Sequence, residues 1–343
     1  MITGTLEYLR KPFLANVKPG DKVLIVTDTA HDPRVWQAVM TIVSEIGAEP
    51  TLALFEPRPA DYYDPPQSVA AAMLSSDVNV LLASTGMLHS PASMKAMEQG
   101  IPSICMDGGM RLEDFQAGAV TADYTEIARL KHFVAKNVFG EKARTVRVTS
   151  RFGTDLTYSV EGRIFVPPLR GEGYDPFKAY RRTEEGRAKS PMYACLYPSG
   201  EFNVPPVEGS ANGKAVIDLT MHHLGRLKSP IELTVKDGRI TSIDGGADAW
   251  TLQRYLDAYG DENATMFPTE ASIGINREAR VIGVQREDKN ILGAIHFGLG
   301  TNIDVGGTVR SRIHMDGVVL QPTIAVDGDE KIREGKFLVS LTE

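Results

Sequence analysis

The sequence is poor in cysteine and in long apolar runs, and each lack excludes a class of protein. Cys105 and Cys195 are the only cysteines in 343 residues and lack CxxC spacing, which excludes a cysteine-based zinc site and argues against a disulfide scaffold. No run approaches the roughly 20 apolar residues of a membrane-spanning helix, and the N-terminus shows no signal-peptide pattern. We therefore expect a soluble, unexported protein of the reducing cytoplasm.

The sequence also lacks a basic cluster. It contains 37 Lys and Arg residues against 44 Asp and Glu residues, which gives a formal net charge of −7. Because the basic residues are dispersed along the chain, they predict no binding surface for nucleic acid. With no membrane or nucleic-acid partner indicated, we expect a small-molecule substrate.

Several common catalytic motifs are missing as well. No GxGxxG follows the first predicted strand and no GxxxxGK[ST] occurs, so the sequence predicts no dinucleotide or nucleoside triphosphate site. HExxH, GxSxG and a cysteine nucleophile with a matched histidine are also absent. For a hydrolase, water activated by a metal ion is the nucleophile that remains.

The first part of the chain alternates between two kinds of pattern. Short apolar runs typical of buried parallel strands lie at 22–27, 51–55, 78–83 and 102–106. Amphipathic stretches that predict helices lie at 33–46, 66–74, 91–98 and 124–138. This alternation predicts a doubly wound α/β domain over residues 1–144.

Near residue 145 the pattern changes to strands of a mixed or antiparallel sheet. Predicted strands lie at 145–149, 156–160, 215–219, 231–235 and 240–243, with a hairpin turn at 236–238 and a helix at 247–259. A charged passage rich in Pro and Gly, 167–190, predicts a surface excursion or a lid. We predict a mixed, mainly antiparallel α+β metal-binding domain over residues 145–343.

The metal prediction starts from His314 and Asp316. In an extended strand, residues two apart point to the same face with Cα atoms roughly 6.5 Å apart, so an imidazole and a carboxylate can converge on one cation. His296 lies in a glycine-rich strand pattern just upstream, and Glu270 precedes it. Mixed imidazole and carboxylate donors are typical of ions that perform hydrolytic or oxygen chemistry. The alternative is an ordinary hydrogen bond between His314 and Asp316 on neighbouring strands.

His89 is a second candidate for chemistry. It follows the third predicted strand, and the carboxyl ends of strands line the ligand crevice in doubly wound sheets. His89 is therefore predicted as an acid, a base or a substrate clamp. In the alternative interpretation, Ser90 caps a helix that begins at Pro91 and His89 is merely exposed. His31, in contrast, is predicted to lie in solvent.

Most of the chain resembles the superfamily that joins aminopeptidase T and S type metallopeptidases with 2,5-dihydroxypyridine 5,6-dioxygenase. The resemblance rests on 32–34, 87–91, 153–156, 198–201, 231–246, 295–300, 305–307 and 313–316. It implies an N-terminal α/β domain, a C-terminal metal domain and a homo-oligomer, a dimer or higher. The terminal His-x-Asp ligands of both branches fall on His314 and Asp316. The peptidase branch places a glutamate ligand at Glu270 and a histidine at His296, whereas the dioxygenase branch has a histidine ligand where this chain has Glu270.

We therefore expect a divalent-metal-dependent hydrolase, using Zn, Mn, Co or Fe(II), that cleaves an amide or related C–N bond in a small molecule. Glu270, His314 and Asp316 would hold the ion, with His296 as a fourth ligand or hydrogen-bonding partner. His296 and Glu270 are also candidates for moving protons, and His89, from the other domain, would orient the substrate. The alternative enzyme is a non-haem Fe(II) ring-cleaving dioxygenase acting on a hydroxypyridine-like ring. A metal-stabilised binding protein with a closed coordination shell is a third interpretation.

Overall fold

The structure is a computed structural model that describes residues 6–167, 174–181 and 192–341. The chain forms two compact units, Met1–Tyr124 with Glu172–Ser199, and Thr125–Gly171 with Gly200–Glu343. This division differs from the single boundary predicted between residues 144 and 145, because the chain leaves the first unit earlier and later returns to it. No helix among the described residues is long and apolar enough to cross a bilayer.

The elements are numbered in chain order. The α-helices are α1 (Glu7–Asn16), α2 (Pro33–Ile46), α3 (Gln67–Met73), α4 (Pro91–Glu98), α5 (Tyr124–Phe133), α6 (Ala247–Tyr259) and α7 (Gln285–Asp288). The first strands are β1 (Lys22–Asp28), β2 (Glu49–Phe55), β3 (Val78–Leu81), β4 (Ser103–Cys105), β5 (Thr145–Thr149), β6 (Asp155–Ser159), β7 (Tyr180–Arg181), β8 (Tyr193–Leu196), β9 (Glu201–Val204) and β10 (Asn212–Ile217). The remaining strands are β11 (Thr220–Met221), β12 (Gly225–Arg226), β13 (Ile231–Lys236), β14 (Arg239–Gly245), β15 (Glu270–Gly274), β16 (Ile295–Gly300), β17 (His314–Val319), β18 (Thr323–Val326), β19 (Asp329–Arg333) and β20 (Lys336–Phe337).

The first unit contains a sheet in the order β2-β1-β3-β4-β8-β7. The pairs β1·β2, β1·β3, β3·β4 and β4·β8 are parallel, and β7 adds antiparallel to β8. The chain leaves β1 towards one edge to form β2 and then crosses to the other side for β3. That reversal defines a doubly wound sheet, so the predicted fold of the N-terminal domain is confirmed.

Local signals explain why α2 begins and ends where the sequence predicted. The Asp32 carboxylate accepts a hydrogen bond from the Arg34 backbone N–H at 3.0 Å, and Pro33 occupies the first helical position. Pro needs no backbone donor there, and its fixed φ suits a helix start. Gly47 ends the helix at φ 87°, a conformation that costs glycine little.

The second unit contains two antiparallel sheets. Their orders are β14-β13-β10-β6-β5-β18-β19-β20 and β12-β11-β17-β16-β15-β9. At the β13–β14 hairpin, Asp237 and Gly238 both have positive φ, 48° and 71°, as the tight turn predicted at 236–238 requires. These sheets, with α5 and α6, confirm the mixed α+β class predicted for this part of the chain.

The return to the first unit was not predicted from the sequence. β8 pairs with β4 in the register Ile104↔Cys195, so residues far beyond the predicted boundary extend the parallel sheet. Most of the passage predicted as a surface excursion or lid lies outside the described residues. Its described residues are 167 and 174–181, and the latter include the edge strand β7.

Candidate metal centre

One face of the sheet formed by β9, β15, β16 and β17 is both polar and buried. Residues directly opposite in the register share a face, and so do residues two apart on one strand. The pairs Glu270↔Gly298, Ser272↔His296 and Gly298↔Asp316 therefore place these side chains on one side of the sheet. That face carries Glu201, Asn203, Glu270, Ser272, His296, His314 and Asp316, while the other carries Phe202, Ala271, Ile273, Phe297, Leu299 and Met315.

Gly298 makes room at the centre of this polar face. It lies between Glu270 on β15 and Asp316 on β17. A Cβ atom at Gly298 would stand 2.9 Å from Glu270 Cβ, 3.0 Å from His314 Cε1 and 3.3 Å from Asp316 Oδ1. The glycine therefore allows three potential ligands to converge over the middle strand.

The His314 ring is oriented by a backbone contact. Its Nδ1 lies 2.7 Å from the Thr301 carbonyl oxygen, which can only accept, so Nδ1 carries the hydrogen. Nε2 points the other way, 2.9 Å from Asp316 Oδ1 and 3.4 Å from Glu270 Oε2. An imidazole held through one nitrogen by a carbonyl, with the other nitrogen turned towards carboxylates that could share a cation with it, is the usual arrangement of a histidine ligand.

The donor set fits a divalent cation. One ligand atom from each of Glu270, His314 and Asp316 lies within 4.8 Å of the other two. Among the described residues, Asp316 Oδ1 is buried and has no hydrogen-bond partner of good geometry, although His314 Nε2 is close. His314 Nε2 and Asp316 Oδ1 can share either a proton or a metal ion, and a cation between the two atoms would satisfy both. Two carboxylates and one imidazole suit Fe, Mn, Co or Zn.

His296 lies beside this three-residue cluster, as predicted, and is fully buried. Its Nε2 is 3.1 Å from Glu270 Oε1, the same oxygen that accepts a hydrogen bond from Ser272 Oγ at 2.9 Å. The two oxygens of Glu270 thus face different neighbours, Oε2 towards His314 and Oε1 towards His296. Direct ligation by His296 stays a prediction.

The surrounding charges lower the pKa values of Glu270 and Asp316 and so keep both carboxylates ionised. Burial alone would raise the pKa of Asp316, but His314, His296 and Lys289 outweigh it and hold that pKa well below its usual range. Burial alone would lower the pKa of His314, whereas the carboxylates of Asp316 and Glu270 raise it to about 10. The pocket is thus a concentration of negative charge that favours a proton or a metal ion on His314 Nε2.

Three residues of this pocket were missed in the sequence. Gln285 Nε2 donates to Asp316 Oδ2 at 2.6 Å, while Lys289 Nζ lies 3.6 Å from the same oxygen and 3.4 Å from Glu201 Oε2. Lys289 belongs to the run 286–290, in which all five polar residues are buried. A polar run of this kind ordinarily predicts a solvated surface, so no local signal marks it as part of a site.

The structure places His89 in the first unit, in the loop between β3 and α4. Ser90 caps α4, because its Oγ accepts from the Ser93 N–H at 3.3 Å, which confirms that part of the alternative interpretation. His89 is half-buried and lies edge-on to the Tyr62 ring, with centroids 4.6 Å apart. Its catalytic role stays a prediction. The exposure predicted for His31 is wrong: its side chain is buried, because the turn after β1 folds back on the Asp28 carboxylate.

Comparison with known protein families gives a match over residues 7–339, nearly the whole chain. The chain belongs to the NicX family of 2,5-dihydroxypyridine 5,6-dioxygenases. A relative from Pseudomonas putida KT2440, 2,5-dihydroxypyridine 5,6-dioxygenase, is 23% identical over 92% of this chain and 89% of its own length. The resemblance inferred from the sequence is therefore confirmed.

Two solved structures share the fold of this NicX family member. The 2,5-dihydroxypyridine dioxygenase of Pseudomonas putida KT2440 superposes with a TM-score of 0.66 at 18% identity, covering 98% of this chain and 97% of the other. AmpT from Thermus thermophilus superposes with a TM-score of 0.63 at 13% identity, covering 99% and 100%. At such low identity these likenesses show a common fold, not a common reaction.

Proposed function

We propose that this protein is a non-haem Fe(II) dioxygenase that opens a hydroxypyridine-like ring. The buried convergence of Glu270, His314 and Asp316 carries the proposal, because it supplies a cation site in a chain that belongs to a family of ring-cleaving dioxygenases. The hydrolase expected first from the sequence has no comparable support. Membership of the NicX family favours the alternative that the sequence had left open.

Each residue of the pocket has a distinct task in this proposal. Glu270, His314 and Asp316 would hold the ion, which when bound supplies redox chemistry and a positive charge next to the substrate. Thr301, through its carbonyl, and Gln285, through its amide, fix the His314 ring and the Asp316 carboxylate. Because these two hydrogen bonds hold the ligand side chains, they orient the ligands towards the proposed ion position.

His296 is the residue placed to handle a proton. Its Nε2 contacts Glu270 Oε1, and its Nδ1 has no hydrogen-bond partner among the described residues. Burial alone would lower its pKa, but Asp316, Glu270 and Glu201 outweigh burial and raise it above the usual value. A protonated imidazole there can donate to an anionic oxygen of a hydroxylated ring. The dioxygenase proposal therefore assigns substrate protonation to His296.

One observation favours a second candidate, a metal-dependent hydrolase. The three convergent ligands comprise two carboxylates and one imidazole, whereas non-haem Fe(II) oxygenases typically use two histidines and one carboxylate. A more anionic set suits an ion that polarises a carbonyl without changing its oxidation state. The two candidates differ in whether oxygen is consumed, so one assay separates them.

The experiment is oxygen uptake by protein reconstituted with Fe(II) under anaerobic conditions and then mixed with 2,5-dihydroxypyridine in aerated buffer. We expect one O₂ consumed per ring opened, with loss of the aromatic absorbance. The matched control is Asp316→Asn, which keeps the shape of a ligand and removes its charge. Release of amine from an amide substrate by Zn- or Co-loaded protein, with no oxygen uptake by the Fe(II) form, would establish the hydrolase instead.

A further inference from the structure

Lys289 introduces a fixed positive charge into the polar pocket. Its Nζ lies 3.4 Å from Glu201 Oε2 and 3.6 Å from Asp316 Oδ2, and only 11% of the side chain is exposed. The backbone holds it in place, because the Lys289 N–H donates to the Gln285 carbonyl at 3.1 Å. This single turn places Gln285 and Lys289 four residues apart, so both reach the same carboxylate.

His296 links the carboxylate of Glu270 to a further carboxylate, Glu201, so more potential donors lie beside the three convergent ligands. Glu270 Oε1 lies 3.1 Å from His296 Nε2, which in turn lies 3.9 Å from Glu201 Oε2. The other oxygen, Oε2, faces His314. A carboxylate that presents one oxygen to each of two donor groups can bridge a pair of ions, as in two-metal hydrolytic sites.

We propose that the Lys289 ammonium stands in for a second divalent ion and makes this a one-ion centre. The proposal rests on the ion assigned above to Glu270, His314 and Asp316. With His296 neutral, one divalent ion and one ammonium group balance the three negative charges of Glu201, Glu270 and Asp316, and a proton on His296 would add further positive charge. A second divalent ion would leave two uncompensated positive charges in a buried pocket, and like charges this close repel strongly.

The balance of charge has a chemical consequence. Two ions that share a carboxylate form one common arrangement for hydrolysis, since they activate a water and stabilise a leaving oxygen together. A single ion with open positions suits an oxygen-dependent reaction. Lys289 is therefore a residue that determines which metal centre this pocket can form.

The test is metal stoichiometry after equilibration with excess MnCl₂ and desalting, with Mn read by mass spectrometry and by electron paramagnetic resonance. We expect about one Mn²⁺ per chain in the wild type and about two in Lys289→Met, with spin coupling between the two ions. Lys289→Arg keeps the charge and should still bind about one. Adding Glu201→Gln to Lys289→Met should return the count to about one, because the second ion loses its carboxylate.

The remaining outcomes contradict either the role of Lys289 or the metal site on which it depends. A wild type that binds two ions, or folded Lys289→Met that binds only one, overturns the role of Lys289. If Lys289→Met does not fold, Lys289→Gln decides in its place, because its amide keeps a polar group at this position without a charge. A wild type that binds no Mn²⁺ contradicts the proposed metal site itself, so the two failures are distinguishable.

Discussion

Asp316 uses its two carboxylate oxygens for different purposes. Oδ2 accepts from Gln285 and faces Lys289, so protein groups satisfy it. Oδ1 faces His314 Nε2 at 2.9 Å, on the side of the proposed ion. This asymmetry is expected of a carboxylate ligand in which protein groups hold one oxygen and the other oxygen faces a cation.

Asp316→Asn should therefore reduce divalent-metal affinity by about 100-fold or more while the protein stays folded. The amide keeps the size of the side chain but removes the charge that draws the ion. Calorimetric titration with Mn²⁺ measures the change. Asp155→Asn is the control, because Asp155 pairs with Arg147 on the surface of the same unit, and its loss should leave affinity unchanged. Equal affinity in wild type and Asp316→Asn would contradict the proposed ligand.

Asp218 makes stability depend on pH outside the candidate site. Burial raises the pKa of this carboxyl to about 6, even though the Leu320 N–H donates to it. A folded-state pKa above the usual value of about 4 means that the protonated form is the one that folding favours. The stabilisation that the neutral Asp218 carboxyl contributes to folding is present below about pH 4 and is lost as pH rises through about 6.

Asp218→Asn should consequently raise the free energy of unfolding at pH 8 relative to wild type. We expect a gain on the order of 1 kcal/mol, because partial exposure screens the charge. The gain should shrink as pH falls from 6 to 4, where the wild-type carboxyl also becomes neutral. Urea unfolding at pH 4.5 and pH 8 measures it. A variant that is less stable than wild type at pH 8 would show that the ionised form is stabilised instead.

At the scale of the element, Gly298 on β16 and Gly317 on β17 face opposite sides of one sheet. Gly298 faces the polar side beneath Glu270, His314 and Asp316, whereas Gly317 on neighbouring β17 faces the apolar side, where a Cβ would stand 2.8 Å from Ile217 Cδ1. The two positions are close in the sheet but lie on opposite faces. They allow the metal site and the core to be perturbed separately.

Gly298→Ala should lower metal affinity by about tenfold or more, because the new methyl group displaces ligands that must converge. Gly317→Ala should instead cost about 1–3 kcal/mol of stability through overpacking and leave affinity nearly unchanged. Metal titration and thermal unfolding of both variants provide the comparison. If Gly317→Ala loses the metal as strongly as Gly298→Ala, general damage to the sheet explains both results.

The sequence predicted the elements whose causes are local and missed those that depend on distant parts of the chain. The bounds of α2, α4 and α6 match the predicted ranges, and for α2 and α4 the capping residues and N-terminal prolines are encoded next to the helix. Strand β8 and the buried run 286–290 owe their places to partners far along the chain. A polar face at a spacing of two looks the same in sequence whether solvent or a buried pocket lies over it.

At the scale of the whole molecule, the two units contribute different candidate residues. Glu270, His296, His314 and Asp316 belong to the second unit, and His89 belongs to the first. The His-x-Asp pair was found from the sequence because both ligands lie on one strand. Glu201 and Lys289 could be placed only from the tertiary structure, since they lie 88 positions apart in the chain. A homo-oligomer stays a prediction, which light scattering can test.

Metal binding should stabilise the second unit and leave the first largely unchanged. An ion that binds only the folded state adds about 2.7 kcal/mol when its free concentration is 100 times the Kd, and all three proposed ligands lie on strands of one sheet. Hydrogen exchange measured with Mn²⁺ and with chelator should therefore show greater protection in peptides from β15, β16 and β17 when metal is bound. Peptides from β1 and β3 should exchange at similar rates in both conditions. Asp316→Asn removes the difference if it arises at the proposed site, and an unchanged metal effect in that variant would place the ion elsewhere.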